Sequence, residues 1–132
     1  MTNTWRVATC PTDMNYAKLI TYCKTLPHAS WERKWGSTLI FMVERKMFAL
    51  FILNANDKPI DLWCKVDDDL FLSYTEQPGI RPAPYLARAK WIGMESGAMS
   101  DAMAKEVLGR AREIVFSKLP KRTQAALRAQ SR

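Results

Sequence analysis

The sequence predicts a single α+β domain in which an antiparallel sheet carries N- and C-terminal helices packed on one face. Apolar residues recur at helical spacing near both ends of the 132-residue chain, and this period is typical of helices with one buried side. Between them lie runs rich in β-branched and aromatic residues, joined by short polar turns. Strands joined by short turns pair antiparallel, so a meander flanked by helices predicts the α+β class.

The first helix is predicted to begin at Thr12 or Asp13, either of which can cap it, and to run to about Leu26. Pro27 ends it, because the proline ring removes a backbone donor and disfavours helix in the preceding residue. Its buried stripe consists of residues at helical spacing, namely Tyr16, Leu19, Ile20, Cys23 and Leu26.

Four strands are predicted in the middle of the chain, at residues 31–35, 38–43, 46–53 and 60–66. Polar residues at 36–37, 44–45 and 54–59 supply the turns between them. The fourth strand alternates, so Asp61, Trp63 and Lys65 face away from the core. The residues expected to face the core are Ile60, Leu62, Cys64 and Val66.

A short helix, a loop and a last strand are predicted next. Three acids at residues 67–69 open the helix, because the positive end of the helix dipole stabilises acidic side chains in a first turn. Pro78 and Gly79 end it, and residues 81–84 (RPAP) form an extended or turn-like loop. Residues 90–94 supply the strand.

A long final helix is predicted to begin at Ser100, whose side chain can cap it, and to end before Pro120. Arg110 lies within helical reach of Glu106 and Glu113, so these charges can pair inside the helix and do not indicate a nucleic-acid site. The residues predicted to line its buried face are Met103, Val107, Ala111, Ile114, Val115 and Leu119.

The chain carries a formal net charge of +7, which favours an anionic partner such as nucleic acid. The last fifteen residues hold five of the cations and no acid, and the rest of the chain carries +2. These cations are Lys118, Lys121, Arg122, Arg128 and Arg132. We therefore expect an N-terminal extension at residues 1–12, one domain at residues 13–119 and a basic C-terminal tail at residues 120–132.

The cysteines, Cys10, Cys23 and Cys64, have neither metal-binding nor disulfide spacing, which favours reduced thiols in a cytoplasm. The N-terminus lacks the apolar segment of a signal peptide. The longest apolar stretch, residues 47–53, is too short to span a bilayer. A cytoplasmic protein without a membrane partner is expected.

The sequence offers no catalytic constellation. His28 is the only histidine, and no pattern ties it to a nucleophile, so an ordinary loop residue at the surface is expected. The motifs of hydrolases, phosphate loops and dinucleotide sites are absent. Residues 67–69 and Asp57 could offer oxygen ligands, but adjacent acids at a helix start point around the axis instead of converging on a metal. We expect no enzyme, no cofactor and no metal.

Aromatic and basic residues indicate a binding function instead. Trp63 shares a strand face with Lys65. If that face is open, the Trp63 ring could stack on a base while the lysine contacts a phosphate. If that face is covered, Trp63 belongs to the core. Polar residues around the proline-rich loop could clamp a phosphate backbone or form a solvated rim. They are Arg81, Tyr85, Arg88 and Lys90.

Seven short strings also have the order and spacing of a known family. They are CKTLP at residues 23–27, WG at 35–36, KMFA at 46–49, LWCKV at 62–66, PGI at 78–80, PAPYL at 82–86 and KW at 90–91. Over roughly residues 14–119 the chain resembles the MmcQ/YjbR family of small bacterial proteins. The resemblance implies a frataxin-like (CyaY-like) two-layer sandwich, often described as a DNA-binding double-wing domain. The matched polar and aromatic residues are Lys46, Lys65, Tyr85, Lys90 and Trp91.

The resemblance to frataxins does not extend to iron. True frataxins are recognised by an acidic first helix, whereas residues 13–26 hold one acid, Asp13, against Lys18 and Lys24. A shared fold does not carry a function without its site. The chain also departs from the family in Trp63 and Cys64, where smaller strand residues are expected.

The leading hypothesis is a non-catalytic domain that binds DNA through its phosphates. The residues predicted to form this site are Lys46, Trp63, Lys65, Arg81, Tyr85, Arg88 and Lys90. The alternative is a protein–protein interaction module that uses the open sheet face and the RPAP loop, with the tryptophans as an apolar patch. A small-molecule sensor is a third possibility and requires a pocket.

Overall fold

A computed structural model describes residues 14–34, 36–84 and 86–130. These residues form the predicted α+β fold, with four α-helices and one six-stranded antiparallel sheet. The helices are α1 (Tyr16–Lys24), α2 (Phe71–Thr75), α3 (Asp101–Ser117) and α4 (Lys121–Gln130). The strands are β1 (Ser30–Lys34), β2 (Thr38–Val43), β3 (Lys46–Leu53), β4 (Pro59–Lys65), β5 (Ile80–Pro82) and β6 (Trp91–Met94). Their order across the sheet is β1-β2-β3-β4-β6-β5.

The N-terminal helix begins later than predicted. Asn15 is the N-cap of α1, and its side chain accepts a hydrogen bond of 3.1 Å from the Lys18 backbone N–H. Thr12 and Asp13 lie outside the described residues. The predicted stripe is confirmed, because Tyr16, Leu19 and Cys23 are buried and the other two members pack against the same core.

The helices cover one face of the sheet and form the main core with it, which confirms the two-layer sandwich. Phe41, Phe48 and Phe51 of the sheet are fully buried there. They meet Leu19 of α1 and Leu108 of α3, which are also fully buried.

The alternation of β4 is confirmed for Leu62 and Cys64, which are buried in the main core. It is wrong for Ile60, which is 55% exposed. Strand β6 pairs with β4 only from Leu62 onward. The start of β4 therefore extends beyond its neighbour, and Ile60 has little to pack against.

A strand overlaps the start of the segment predicted to be an extended or turn-like loop. Strand β5 pairs antiparallel with β6, with Ile80 opposite Met94 and Arg81 opposite Gly93. Its three residues include a proline, and a strand this short at the sheet edge has no alternating pattern to read. Only pairing with β6 reveals it.

The second face of the sheet was expected to be open, yet it buries a small apolar cluster of its own. Ile40, Leu50 and Trp91 on this face are between 1% and 4% exposed. Ala83 and Leu86, which follow β5, pack over them. Trp63 packs against this cluster and is partly buried. Its burial is therefore intermediate between the two predicted alternatives, a fully exposed ring and a core residue.

Helix α3 is capped by Ser100 as predicted, with the side chain accepting a hydrogen bond of 3.2 Å from the Met103 backbone N–H. Met103 itself is 50% exposed and not buried as predicted, because it lies in the first turn at the margin of the buried stripe. Arg110 does not form its ion pair within the helix. Its guanidinium donates two hydrogen bonds, of 2.8 and 3.0 Å, to the Asp67 carboxylate.

Most of the basic tail forms a helix. Leu127 of α4 is 8% exposed and belongs to the main core. The Gln124 side chain donates hydrogen bonds to the backbone carbonyls of Ser117 and Leu119. These contacts join α4 to the end of α3, while the boundary predicted at residue 120 stays a prediction.

Candidate functional site

A cleft of about 500 Å³ lies where β3 begins, β4 ends and α3 ends. We call it the basic cleft. Its polar lining consists of four cationic residues and one acidic residue, namely Lys46, Lys65, Arg88, Lys118 and Asp68. Its apolar lining includes Met47, Trp91, Val115 and Leu119.

Lys46 is placed at the cleft by the hairpin between β2 and β3. Glu44 and Arg45 form its two-residue turn, and both have positive φ angles, 48° and 69°. Two consecutive positive φ angles characterise the turn whose twist matches a β-hairpin. Lys46 follows as the first residue of β3, and its side chain is exposed.

Lys65 lies at the opposite extreme of exposure, at 7%. Its ammonium donates to the Ala89 backbone carbonyl and, at 3.3 Å, to the Asp68 carboxylate. An ammonium has three donor hydrogens, and no hydrogen bond to the third is present among the described residues. A buried cation that retains a donor beside a cleft can bind an anion there.

Arg88 and Ala89 reach the cleft from a single turn of 3-10 helix at Ala87–Ala89. Lys90 ends this turn with a left-handed backbone, at φ 62°, which redirects the chain into β6. The Lys90 ammonium lies 5.3 Å from the centre of the Phe71 ring. This cation–π contact places the ammonium beside α2, and Lys90 is not among the residues that line the cleft.

Trp63 and Arg81 form a separate group on the second sheet face. Both donate to the same Asp61 carboxylate oxygen, Trp63 from its indole N–H at 2.9 Å and Arg81 from its guanidinium. Gly93 lies between them in the sheet register. A β-carbon at Gly93 would lie 3.2 Å from Arg81 Cζ and 3.3 Å from Trp63 Cδ1, so any larger residue here would have to shift these two side chains by a few tenths of an ångström.

The structure thus divides the predicted site residues. Lys46, Lys65 and Arg88 meet in the basic cleft, whereas Trp63 and Arg81 bind Asp61 and Lys90 contacts Phe71.

Tyr85 lies outside the described residues, so the structure gives no account of it. Two charged residues of the cleft lining were not among the predicted site residues. Lys118 was counted only among the cations near the C-terminal end, although its neighbour Leu119 was expected to be buried, and that proximity was the available signal. Asp68 was assigned to the helix start, although its spacing of three residues from Lys65 permits the observed pair.

Comparison with known proteins places the chain in a family. The YjbR family model matches residues 24–114. The chain belongs to the YjbR family. No curated protein matches it.

Two solved structures resemble this YjbR-family chain. A Deinococcus radiodurans protein with a DUF419 domain has a TM-score of 0.76 and 24% identity, over 89% of this chain and 90% of its own. A Pseudomonas syringae protein has a TM-score of 0.64 and 20% identity, over 77% of this chain and 99% of its own. At such low identity the likeness shows the fold alone.

The two described thiols of the YjbR-family domain are fully buried in its core. Burial raises the pKa of the Cys23 thiol to about 12 and raises the pKa of Cys64 as well. Thiols with such high pKa values stay protonated near neutral pH, and the thiolate is the nucleophile and metal ligand.

His28 departs from the expected surface loop residue. It is half-buried, its φ angle is 63°, and its ring stacks on Phe116 with ring centres 5.8 Å apart. Its Nδ1 atom lies 2.9 Å from an Arg112 guanidinium nitrogen, which donates to it. Arg112 also donates to the Pro27 carbonyl, so it holds the loop after α1 against α3. No local pattern in the sequence predicts the contact between His28 and Arg112, which are 84 positions apart.

Within the described ranges, no three His, Cys, Asp or Glu residues gather as a group that could hold a metal ion. In the same ranges, no helix combines the length and the apolar character needed to cross a membrane.

Proposed function

We propose that this YjbR-family domain binds nucleic acid without catalysing a reaction, and that the basic cleft holds nucleic-acid phosphates. One observation carries the proposal. Three of the cations predicted for phosphate binding, Lys46, Lys65 and Arg88, come from separate elements and line one cleft with Lys118. The acidic residue among them, Asp68, is already paired with Lys65.

The electrostatics of the cleft favour an anion. Cations that line a concave surface raise the local concentration of anionic ligands, and phosphate contacts supply most of the affinity in non-specific nucleic-acid binding. Helix α4 follows the cleft residue Leu119 almost directly and adds Lys121, Arg122 and Arg128 to the same end of the chain.

The alternative is a protein–protein interaction module on the second sheet face. That face has little apolar surface to offer, because Ile40, Leu50 and Trp91 are buried in their own cluster. Burial raises the pKa of both the Cys23 and the Cys64 thiol, which argues against catalysis by either cysteine. A cytoplasmic setting stays a prediction.

The test compares two charge reversals, Lys46→Glu at the cleft and Lys58→Glu at the other end of β3. The eight residues of β3 separate these ends by about 23 Å, and both lysines are exposed. An exposed charge pair at 4 Å is worth about 1 kcal/mol in water, so replacing attraction by repulsion costs about 2 kcal/mol, or roughly 30-fold in affinity.

Binding is measured by fluorescence anisotropy of a labelled oligonucleotide at about 50 and 200 mM salt. We expect Lys46→Glu to weaken binding by roughly 10- to 30-fold and to reduce the salt dependence. Lys58→Glu should retain most of the wild-type affinity. Equal losses in both variants would indicate attraction to net charge alone, and no binding by the wild type at low salt would end the nucleic-acid proposal in favour of a protein partner.

A further inference from the structure

We infer that the basic cleft takes single-stranded nucleic acid in preference to a duplex, with one unstacked base against its apolar lining. We call this lining the apolar floor; it consists of Met47, Trp91, Val115 and Leu119. This inference rests on the proposed function and specifies the class of nucleic acid. It follows from the combination of neutral and cationic surfaces within one cleft.

The apolar part of the cleft has no use in binding phosphate. Met47 and Trp91 contribute to it from the second sheet face, and Val115 and Leu119 contribute from the end of α3. Phosphate is strongly hydrated and gains nothing from apolar side chains. A flat, largely apolar base gains free energy when such a surface removes it from water.

The cations line the same cleft as this apolar floor. Lys46, Arg88 and Lys118 are exposed side chains that line the same cleft as Met47 and Leu119, and Lys65 is buried within it. In a single strand, a phosphate flanks each base on both sides. A base that enters the cleft therefore brings two phosphates close to the cations that line it.

The size of the cleft fits one such unit. Its volume of about 500 Å³ falls within the usual range of sites for small ligands. A duplex has its bases stacked and paired inside, so it can reach the apolar floor only if a base leaves the stack at a cost. Of the apolar lining residues, Met47 is partly exposed, whereas Trp91, Val115 and Leu119 are buried. An intact duplex would contact the cationic residues alone and leave the exposed part of the floor in water.

The test compares three labelled ligands of the same length with the full-length protein. They are a single strand, the corresponding duplex, and a single strand of abasic nucleotides with the same number of phosphates. We expect the base-containing single strand to bind about tenfold more tightly than either of the others, because one base–protein contact contributes about that factor.

A matched pair of variants assigns the preference to the cleft. Met47→Ala removes an apolar side chain from the floor, and Met42→Ala removes the same side chain directly across the sheet register. Both methionines are partly buried in the same cluster, and Met42 does not line the cleft. We expect Met47→Ala to reduce the single-strand preference about fivefold and Met42→Ala to preserve it.

The outcomes are distinct. Equal affinity for the abasic and base-containing strands would overturn the base-binding inference, while the proposed phosphate site would stand. Tighter binding of the duplex would overturn the inference as well. No binding of any of the three at about 50 mM salt would refute the proposed function together with it.

Discussion

The substitution Lys65→Met tests whether Lys65 serves to bind a ligand or to stabilise the fold. Lys65 is buried, with 7% of its surface exposed. Its ammonium donates hydrogen bonds to the Asp68 carboxylate and the Ala89 backbone carbonyl. Methionine preserves most of the unbranched apolar stem and removes the charge. The variant therefore tests the charged group while the packing of the stem is largely retained.

The expected change in stability is small because opposing contributions offset each other. The Asp68 carboxylate is 72% exposed, so its pair with Lys65 is worth about 0.2–1 kcal/mol, and water can hydrate it once the lysine is gone. The hydrogen bond to the Ala89 carbonyl is worth about 1.5–3 kcal/mol. These two stabilising interactions are offset by the desolvation of the buried cation, which costs several kcal/mol. We expect the free energy of unfolding to change by no more than about 1 kcal/mol.

Urea unfolding, followed by tryptophan fluorescence, measures the stability, and fluorescence anisotropy measures the affinity for the labelled single strand. Loss of one cation at the cleft should weaken binding about tenfold and lower the slope of log affinity against log salt by about 0.7. Lys58→Met is the control, with the same substitution at an exposed site. If Lys65→Met lost more than about 2 kcal/mol of stability and bound the strand as well as the wild type, Lys65 would be structural and the reasoning refuted.

Three further predictions concern the scaffold. Gly93→Ala should lower the free energy of unfolding by about 1–2 kcal/mol, because its β-carbon would lie 3.2 Å from Arg81 Cζ; an unchanged urea midpoint would contradict this. The hydrogen bonds from Arg110 hold the pKa of the Asp67 carboxyl below its ordinary value, so their stabilisation is present at neutral pH and lost as the pH falls through the folded-state pKa. Asp67→Asn should therefore cost about 0.2–1 kcal/mol at neutral pH, and thermal unfolding across the acid range should show this gap closing below about pH 4; a constant gap would exclude the ion pair as its source. Leu127→Ala should cost about 2–3 kcal/mol in urea unfolding, because this side chain is 8% exposed in the main core, whereas a detached tail would tolerate it.

The secondary structure was largely readable from local signals. The bounds of β2 and β3 agree with the predicted ranges, and those of β1 and β4 differ by one residue. Turn residues, β-branched runs and alternation act between near neighbours in sequence, so the chain itself carries them. Ser100 was recognised as a cap for the same reason.

The features that the sequence did not predict share a physical cause. Each depends on a residue or strand that is distant in the sequence. Strand β5 exists because β6 pairs with it, and Arg110 pairs with Asp67, 43 positions away, instead of with its helical neighbours. The exposure of Ile60 follows from where β6 stops pairing with β4. None of these pairings leaves a periodic pattern in the sequence.

By itself the sequence determined the α+β class, the meander, the excess of positive charge and the residue types suited to phosphate. Only the tertiary structure decided which cations act together. Sheet register and the docking of α3 bring Lys46, Lys65, Arg88 and Lys118 to one cleft. The same packing draws Arg81 to Asp61 and Lys90 to Phe71. A side chain's charge is a property of its residue, whereas its neighbours depend on how separate elements pack, and that packing is set by the whole core.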